Sequence, residues 1–360
     1  MSKRRLSKQQ QRRISAARTR AAGSPETAAD ACNGRVVSHF GQQLDVEALH
    51  TEAPGAATSE ADSPGADSPK SDPPKSDPPK IVRCHQRANL PPLVTGDLVV
   101  WEDGDDGSGV VTALAQRRNV FIRPDYLGRD RPVAANLDVV LVVFAVLPQP
   151  FPNLIDRYLV AIENLDLQAA LVLNKADLAS PAHPEIDSIM SIYQHLEYPL
   201  FQVSAHSGAG IEQLTTFLTG KTTVLVGQSG VGKSSLINRL ASPDSASSPS
   251  AQSALTAEVG ELSVGKDKGT HTTTTARLFH LATCDLIDSP GIREFNTGTL
   301  SPQQVFQGFP ELRALQGQCR FRNCRHQGDP GCALAAALQA GDIDARRWES
   351  FQRILGHGND

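Results

Sequence analysis

Residues 227–234 read Gly-Gln-Ser-Gly-Val-Gly-Lys-Ser, which satisfies the pattern GxxxxGK[ST]. Gly227, Gly230 and Gly232 let backbone N–H groups converge on phosphate oxygens, with Gln228, Ser229 and Val231 completing the loop. Lys233 is placed to reach β- and γ-phosphates, and the Ser234 hydroxyl to hold Mg²⁺, with Ser235 next in the helix. The context fits. Thr222–Val226 reads as a strand before the loop, and Ser235–Leu240 as helical after it. A helix starting at the loop adds positive potential where a phosphate would sit.

A second group of residues can read a base. Asn174-Lys175-Ala176-Asp177 ends the apolar run Ala169–Leu173. A carboxylate at Asp177 accepts from both N1–H and the 2-amino group of guanine, a donor pair that adenine lacks. Asn174 would tie this loop to the phosphate loop, and the Lys175 stem would cover the base. Ser204-Ala205-His206 follows Leu200–Val203; the Ala205 N–H is expected to meet guanine O6. Asp288-Ser-Pro-Gly291 fits DxxG, with Asp288 holding Mg²⁺ through water and the Gly291 N–H meeting the γ-phosphate. Upstream, residues 269–275 read Gly-Thr-His-Thr-Thr-Thr-Thr and fit a switch loop. One of its threonines, Thr273 or Thr274, is expected to ligate Mg²⁺. The residue after DxxG is Ile292, where many GTPases carry the Gln that orients water. Slow intrinsic hydrolysis follows, and His271 is the candidate inside the chain to orient water. The alternative reading is a solvated loop histidine.

A third group can hold metal. Cys319, Cys324, His326 and Cys332 supply three thiolates and one imidazole within 14 residues. Four such ligands close a tetrahedral Zn²⁺ site with no open position, which is structural rather than catalytic. Cys32, Cys84 and Cys284 stand apart from this cluster.

The elements that must position these groups are legible from Leu137 onward. Val139–Leu147, Ala169–Leu173, Leu200–Val203 and Thr222–Val226 read as buried strands. They alternate with helical stretches at Ile155–Asn164, Ile186–Leu196 and Ile211–Leu218, which implies a parallel α/β sheet. Before it, strand-like pieces at Arg35–Phe40, Leu44–Val46, Ile81–Cys84, Gly96–Trp101, Gly109–Leu114 and Val120–Pro124 suggest a small all-β barrel. Residues 51–80 include the repeat Ser-Asp-Pro-Pro-Lys and cannot build a core, so they read as a disordered insertion within that barrel. From Ser301 the pattern is helical around the Cys/His cluster.

Composition excludes some classes. The 360 residues carry a formal net charge of −4, so nucleic-acid contact must come from local patches. Residues 1–20 are such a patch, with eight Lys/Arg and no acid. They form a tail that either solubilises the protein or lies on a phosphate backbone. The longest clean apolar run, Val139–Leu147, has nine residues, against about 18–20 for a membrane span. The basic N-terminus has no apolar stretch after it, so no secretory signal is expected. Reduced cysteines and a cytoplasmic location are the expectation.

The order of the motifs is unusual. A GTPase commonly runs phosphate loop, first switch, DxxG, NKxD, SA. This chain starts at NKAD and SAH and reaches the phosphate loop, first switch and DSPG afterwards, a circular permutation. That order, with a barrel before it and a Cys/His region after it, resembles the ribosome small-subunit-dependent GTPase family RsgA, also called YjeQ. The resemblance spans residues 1–20 and 34–360 apart from the Pro-rich insertion. It implies a basic tail at 1–33 and an OB-type β-barrel at 34–132 carrying the insertion. It implies a circularly permuted P-loop GTPase at 133–299 and a helical zinc-binding domain at 300–360. It also implies a family-matched zinc ligand set and a role for His271. The implied activity is Mg²⁺-dependent hydrolysis of GTP in late assembly of the small (30S) ribosomal subunit, stimulated by that subunit. Expected partners are the subunit, its rRNA and other assembly factors, with no membrane partner and a monomeric state. A rival reading is an rRNA-binding module in which GTP is a structural or switch ligand. Another is a GTPase serving a protein or membrane partner, against which the basic tail and the lack of a lipidation signal weigh. The short link from Gly291 to Cys319 adds an expectation that the zinc region shifts with the nucleotide.

Overall fold

The computed structural model describes residues 32–40, 43–49, 80–104, 107–124, 130–179, 183–241, 276–288, 300–326 and 328–356. The chain divides into two compact units. One comprises Met1–Leu93 with Asp97–Gln116, the other Val94–Gly96 with Arg117–Asp360.

In the first unit, five strands close a barrel: β1 (Gly34–Phe40), β2 (Gln43–Ala48), β3 (Ile81–Gln86), β4 (Leu98–Asp103) and β5 (Gly109–Leu114). Their order is β1-β2-β3-β5-β4, with β4 returning to β1 through Gly34↔Val99. Closure removes the exposed edges, and alternation points Val36, Leu44, Val46, Val82, Cys84, Val99 and Val111 into one core around Trp101. Two glycines admit the indole. A Cβ at Gly34 would stand 2.5 Å from Trp101 Cδ1, and one at Gly109 would stand 2.9 Å from its Cε3. The Pro-rich stretch lies outside the described residues, but its ends do not. β2 and β3 pair antiparallel through Glu47↔Ile81, and the Ala48 N–H donates to the Lys80 carbonyl at 2.9 Å.

The strand expected at Val120 is not part of this barrel. β6 (Val120–Pro124) and β7 (Asp130–Ala135) form a separate antiparallel hairpin in the second unit. Polar bonds at its base explain the placement. Asn119 exchanges two hydrogen bonds with the Leu137 backbone at 2.7 and 2.9 Å, and Asn136 Nδ2 donates to the Gly96 carbonyl at 2.8 Å. These bonds fix the hairpin to the start of the next strand.

The second unit is built on six strands: β8 (Val139–Ala145), β9 (Gln168–Asn174), β10 (Leu200–Gln202), β11 (Thr222–Val226), β12 (Arg277–His280) and β13 (Asp285–Asp288). Their order is β10-β9-β8-β11-β13-β12. All but β12 run parallel, and β8 is buried along its whole length, as a strand covered on both faces must be. β12 is antiparallel to β13. Residues 281–284 between them are too few for a parallel crossover, so the sheet is mixed rather than wholly parallel. Helices α1 (Pro152–Glu163), α2 (Pro184–His195), α3 (Ile211–Leu218) and α4 (Lys233–Ala241) complete the α/β layer.

Helices α5 (Pro302–Gln307), α6 (Pro310–Arg313), α7 (Ala333–Ala340) and α8 (Ala345–Ile354) follow. A Ser301/Gln304 capping box starts α5, Asp344 caps α8, and Gly341 in the left-handed region ends α7, so short helices are bounded by their own end residues. Their apolar faces, including Val305, Phe309, Leu312, Leu334 and Phe351, share a cluster with Val160 of α1. Among the described residues no helix is long and apolar enough to cross a membrane.

Candidate functional site

Because β8–β11 and β13 run parallel, the loops after β9, β10, β11 and β13 all leave at the carboxyl edge of the sheet, where α/β folds place ligands. The phosphate loop follows β11 near the centre of that edge. Gly227 adopts φ +141°, and a Cβ there would lie 2.0 Å from the Val143 carbonyl of β8. Only glycine permits that approach. Gly230 and Gly232 are also at positive φ, and Val231 between them is buried in the sheet's core. Gln228 and Ser229 line the outer turn. Lys233 opens α4, and its Nζ donates to the Gly227 and Gln228 carbonyls at 2.6 and 2.8 Å. Ser234 and Ser235 occupy the first turn of α4, where backbone N–H groups have no acceptor within the helix.

Asn174 joins three loops. It is 1% exposed. Its Nδ2 donates to the Val231 carbonyl at 2.9 Å and the Gly232 carbonyl at 3.3 Å, while its Oδ1 accepts from the Ala205 N–H at 3.1 Å. A Cβ at Gly232 would stand 2.5 Å from that amide nitrogen. The expected tie between the base loop and the phosphate loop is therefore a direct hydrogen bond. The Ala205 N–H, expected to face guanine O6, here bonds Asn174. Lys175 takes φ +58° and lays its stem across the phosphate loop, with Nζ donating to the Leu147 and Gly230 carbonyls at 2.8 and 2.7 Å.

Ala176 and Asp177 begin a short 3-10 turn, Ala176–Leu178. A hydrogen bond from the Ser204 hydroxyl holds the Asp177 carboxyl below the ordinary carboxylate range. Its own backbone N–H and the nearby His206 and Lys175 add to this, against partial desolvation. The carboxylate is thus ionised at neutral pH and held as an acceptor. A cavity of about 250 Å³ lies beside it, lined by Asn174, Lys175, Asp177, Ala205, His206 and Gly232, with Leu178 and Ser235 at its margin. Motif reading did not assign Leu178 or His206 to the site. Leu178 follows directly on Asp177, and His206 is the third residue of the Ser204–His206 stretch, to which no role was given, so position along the chain was the available signal.

Asp288 ends β13, beside β11, and is 9% exposed. Gly291, His271, Thr273 and Thr274 lie outside the described residues, as does Ile292.

The Cys/His residues converge. The Cys319, Cys324 and Cys332 sulfurs stand 3.6, 3.5 and 3.5 Å from His326 Nδ1, and all four ligand atoms lie within 4.8 Å of one another. A tetrahedral ion with Zn–S of about 2.3 Å and Zn–N of about 2.0–2.1 Å requires S–N separations of about 3.5 Å. The donor set and its spacing therefore fit zinc, with no protein position left open. Burial and the two neighbouring sulfurs push the Cys324 thiol up to about 11, so a dication is what would hold it as thiolate at neutral pH. The Ala333 N–H at the start of α7 points at Cys319 Sγ (3.4 Å), and His326 stacks on Phe306.

A buried ionic group outside the motifs joins this region to α1. Arg347 of α8 is 2% exposed and bonds Asp156 of α1 and Glu311 of α6. Tyr193 donates to Asp156 at 2.7 Å, and the guanidinium lies 4.3 Å from the Phe309 ring centroid. Burial disfavours the Arg347 charge, but Asp156 and Glu311 outweigh it and raise its pKa. Two residues on from Asp156, Tyr158 receives a backbone hydrogen bond from Gly227 of the phosphate loop. Neither contact is visible in any local pattern.

A phosphate loop, an adjoining base-side loop and a DxxG aspartate on one sheet edge, with the base-side loop earlier in the chain, define a circularly permuted P-loop GTPase. The RsgA GTPase family model matches residues 114–298. The chain is 47% identical over 325 residues to the small ribosomal subunit biogenesis GTPase RsgA of Azotobacter vinelandii, covering 90% of this chain and 84% of that protein. It is 46% identical over 324 residues to the protein of that name from Pseudomonas putida F1, covering 89% and 84%. The chain belongs to the RsgA family. Among solved structures, YjeQ from Thermotoga maritima superposes with a TM-score of 0.64 at 27% identity, covering 91% of this chain and 99% of that one. The fold is also that of YloQ, a circularly permuted GTPase (TM-score 0.63, 22% identity, 90% and 93% covered).

Proposed function

We propose that the chain hydrolyses GTP to GDP and phosphate in late assembly of the small ribosomal subunit, and that the subunit stimulates the reaction. The observation that carries this reading is the Asn174 amide, which locks the base-side loop onto the phosphate loop and the Ala205 loop at once. Guanine enters the cavity at Asp177, whose carboxylate takes both donors of the base edge, while the Lys175 stem covers it. For its N–H to reach O6, Ala205 must release Asn174 Oδ1. The phosphates lie along residues 227–235, drawing Lys233 Nζ from its two carbonyls onto the β- and γ-oxygens. Ser234, Asp288 and Thr273 or Thr274 would hold Mg²⁺, which neutralises charge on those oxygens. The Gly291 N–H contacts the γ-phosphate, and His271 orients the attacking water in place of the missing Gln.

Zinc at Cys319, Cys324, His326 and Cys332 is structural. The domains are the basic tail to residue 33, the barrel with its insertion to about 116 rather than 132, the GTPase with the β6–β7 hairpin to 299 and the zinc region to 360. The protein acts as a cytoplasmic monomer, on subunits that also carry other assembly factors. Relatives named for biogenesis of the small subunit support that partner. The rival reading, an rRNA-binding module with negligible catalysis, draws on Ile292 alone. GTP turnover titrated with purified small subunits separates the two. Turnover rising with subunit concentration is expected, and turnover at background with saturating subunits would establish the rival.

A further inference from the structure

Motif side chains grip only the second half of the phosphate loop. Lys175 Nζ donates to the Gly230 carbonyl, and Asn174 Nδ2 to the Val231 and Gly232 carbonyls. The first half is held from α1. β11 pairs with β8 as far as Val226↔Val142, so the buried Gly227 N–H lies past the end of the ladder. A buried amide needs an acceptor, and the Tyr158 hydroxyl supplies it. The Gly227 carbonyl in turn accepts from Lys233 Nζ at 2.6 Å. α1 can present Tyr158 here because it is buried nearly all round. Ile155, Asp156 and Tyr158–Ile162 are all covered, where a surface helix would bury one stripe. Residues two apart on a helix point about 200° apart. Asp156 thus meets Arg347 and Tyr193 on one side, while Tyr158 meets the loop on the other.

We propose that Tyr158 is a positioning residue for phosphate binding, its hydroxyl fixing the entrance of the loop at Gly227 before a nucleotide arrives. The proposal deepens the reading above and rests on it for the phosphates lying along residues 227–235. The phenol oxygen can accept an N–H while keeping its own proton. Burial pushes its pKa up and keeps it neutral. A loop already in its bound geometry loses less entropy on binding. The contact counts most once a phosphate draws Lys233 Nζ away from the Gly227 carbonyl. Gly227 then loses that contact, and the Tyr158 bond keeps the turn in place. The competing account is packing alone, with the ring merely filling space beside β8. Phenylalanine fills the same space, so packing alone would leave Tyr158→Phe without effect. Tyr198 supplies the comparison. Its hydroxyl donates to Glu163, the last residue of α1, at 3.0 Å. Tyr198→Phe therefore makes the same chemical change against the same helix, away from the loop.

The test uses the full-length zinc-loaded protein, without ribosomes. Calorimetry gives the affinities of the parent, Tyr158→Phe and Tyr198→Phe for GDP, a GTP analogue and xanthosine diphosphate. Tyr158→Phe should weaken GDP and the GTP analogue alike, by about 3- to 30-fold. That is part of what a hydrogen bond with a buried partner is worth, because the free protein loses the bond too. Its preference for GDP over xanthosine diphosphate should match the parent's, since the base loop is untouched. Hydrogen exchange over residues 226–230 in the nucleotide-free protein should speed up in Tyr158→Phe and keep the parent's rate in Tyr198→Phe. Tyr198→Phe should also bind GDP as the parent does. Zinc content and cooperative unfolding, retained in both variants, establish that they fold. Unchanged GDP affinity in folded Tyr158→Phe would overturn the proposal and leave packing as the role of the ring. So would an equal loss in Tyr198→Phe, which would mark a general loosening of α1, or a changed base preference, which would mark the base loop. A parent that binds neither GDP nor the GTP analogue would refute the nucleotide reading itself. A parent that binds both, matched by Tyr158→Phe, would refute the positioning role alone.

Discussion

In the proposed site, base specificity rests on the single side chain of Asp177. The Ser204 hydrogen bond lowers the carboxyl further below its ordinary range, and the turn at Ala176–Leu178 holds it at the cavity. Asp177→Asn presents one acceptor and one donor instead of two acceptors, so one guanine donor faces an amide N–H. A lost bidentate contact of this kind costs about 1–3 kcal/mol, so GTP affinity measured by calorimetry should fall about 10- to 100-fold. Xanthosine nucleotides, which present an acceptor where guanine has its amino group, should lose less or gain. Unchanged GTP affinity would remove Asp177 from the base site. At this scale the motif side chains were legible because phosphate and base chemistry dictates both their type and their spacing. Their partners were not legible. Lys175 bonds the carbonyls of Leu147 and Gly230, and a carbonyl acceptor leaves no trace in residue identity.

The elements carry a similar division. β8 declares itself as an unbroken apolar run, since a strand covered on both faces has no polar side. Val120–Pro124 reads as one more barrel strand, because its residues say nothing about which strand will pair with it. Asn119, Asn136 and Arg118 decide that through bonds to Leu137, Gly96 and Asp138. Two predictions belong here. Deleting residues 54–79 should leave GTP binding intact and shift Tm by no more than a few degrees. β2 and β3 are already paired where the stretch begins and ends, and halving a loop changes closure by only about 0.6 kcal/mol. A larger loss by calorimetry would mean that the stretch packs on the protein. Removing zinc should act elsewhere. Cys324→Ser breaks a closed site whose binding energy contributes to folding, so metal content should drop and limited proteolysis should cut after about residue 300. GDP affinity should persist, because the nucleotide residues lie outside the site. Full metal content in the variant would contradict the ligand assignment.

For the molecule as a whole, the short link between Gly291 and Cys319 suggests a zinc region that swings with the nucleotide, and the packing of α8 on α1 opposes it. Arg347 is buried between Asp156 and Glu311. A Cβ at Gly308 would stand 2.6 Å from Val160 Cγ1, and Asn164 of α1 donates to the Gln304 carbonyl at 2.9 Å. Undocking would return Arg347 and Asp156 to water, where hydration offsets the lost pairing, so the cost lies in exposing the apolar cluster around Phe309, at about 1.5–3 kcal/mol for each large apolar side chain uncovered. Coupling between a nucleotide and a distant state is typically about 1–3 kcal/mol. The smaller quantity cannot drive the larger change. The zinc region should therefore stay docked with GDP and with a GTP analogue, and any signal between the two sites should run through α1, which carries both Asp156 and the Tyr158 contact to Gly227. Genetically encoded spectroscopic labels at Gln194 of α2 and Gln339 of α7 report this distance. One shared distribution in both nucleotide states is expected. Arg347→Ala should broaden it in both states and lower stability by about 3–5 kcal/mol in denaturant titration. A distribution that shifts with nucleotide while Arg347 is intact would show that the link at 292–318 moves the region, and that the ionic clamp is weaker than its burial implies.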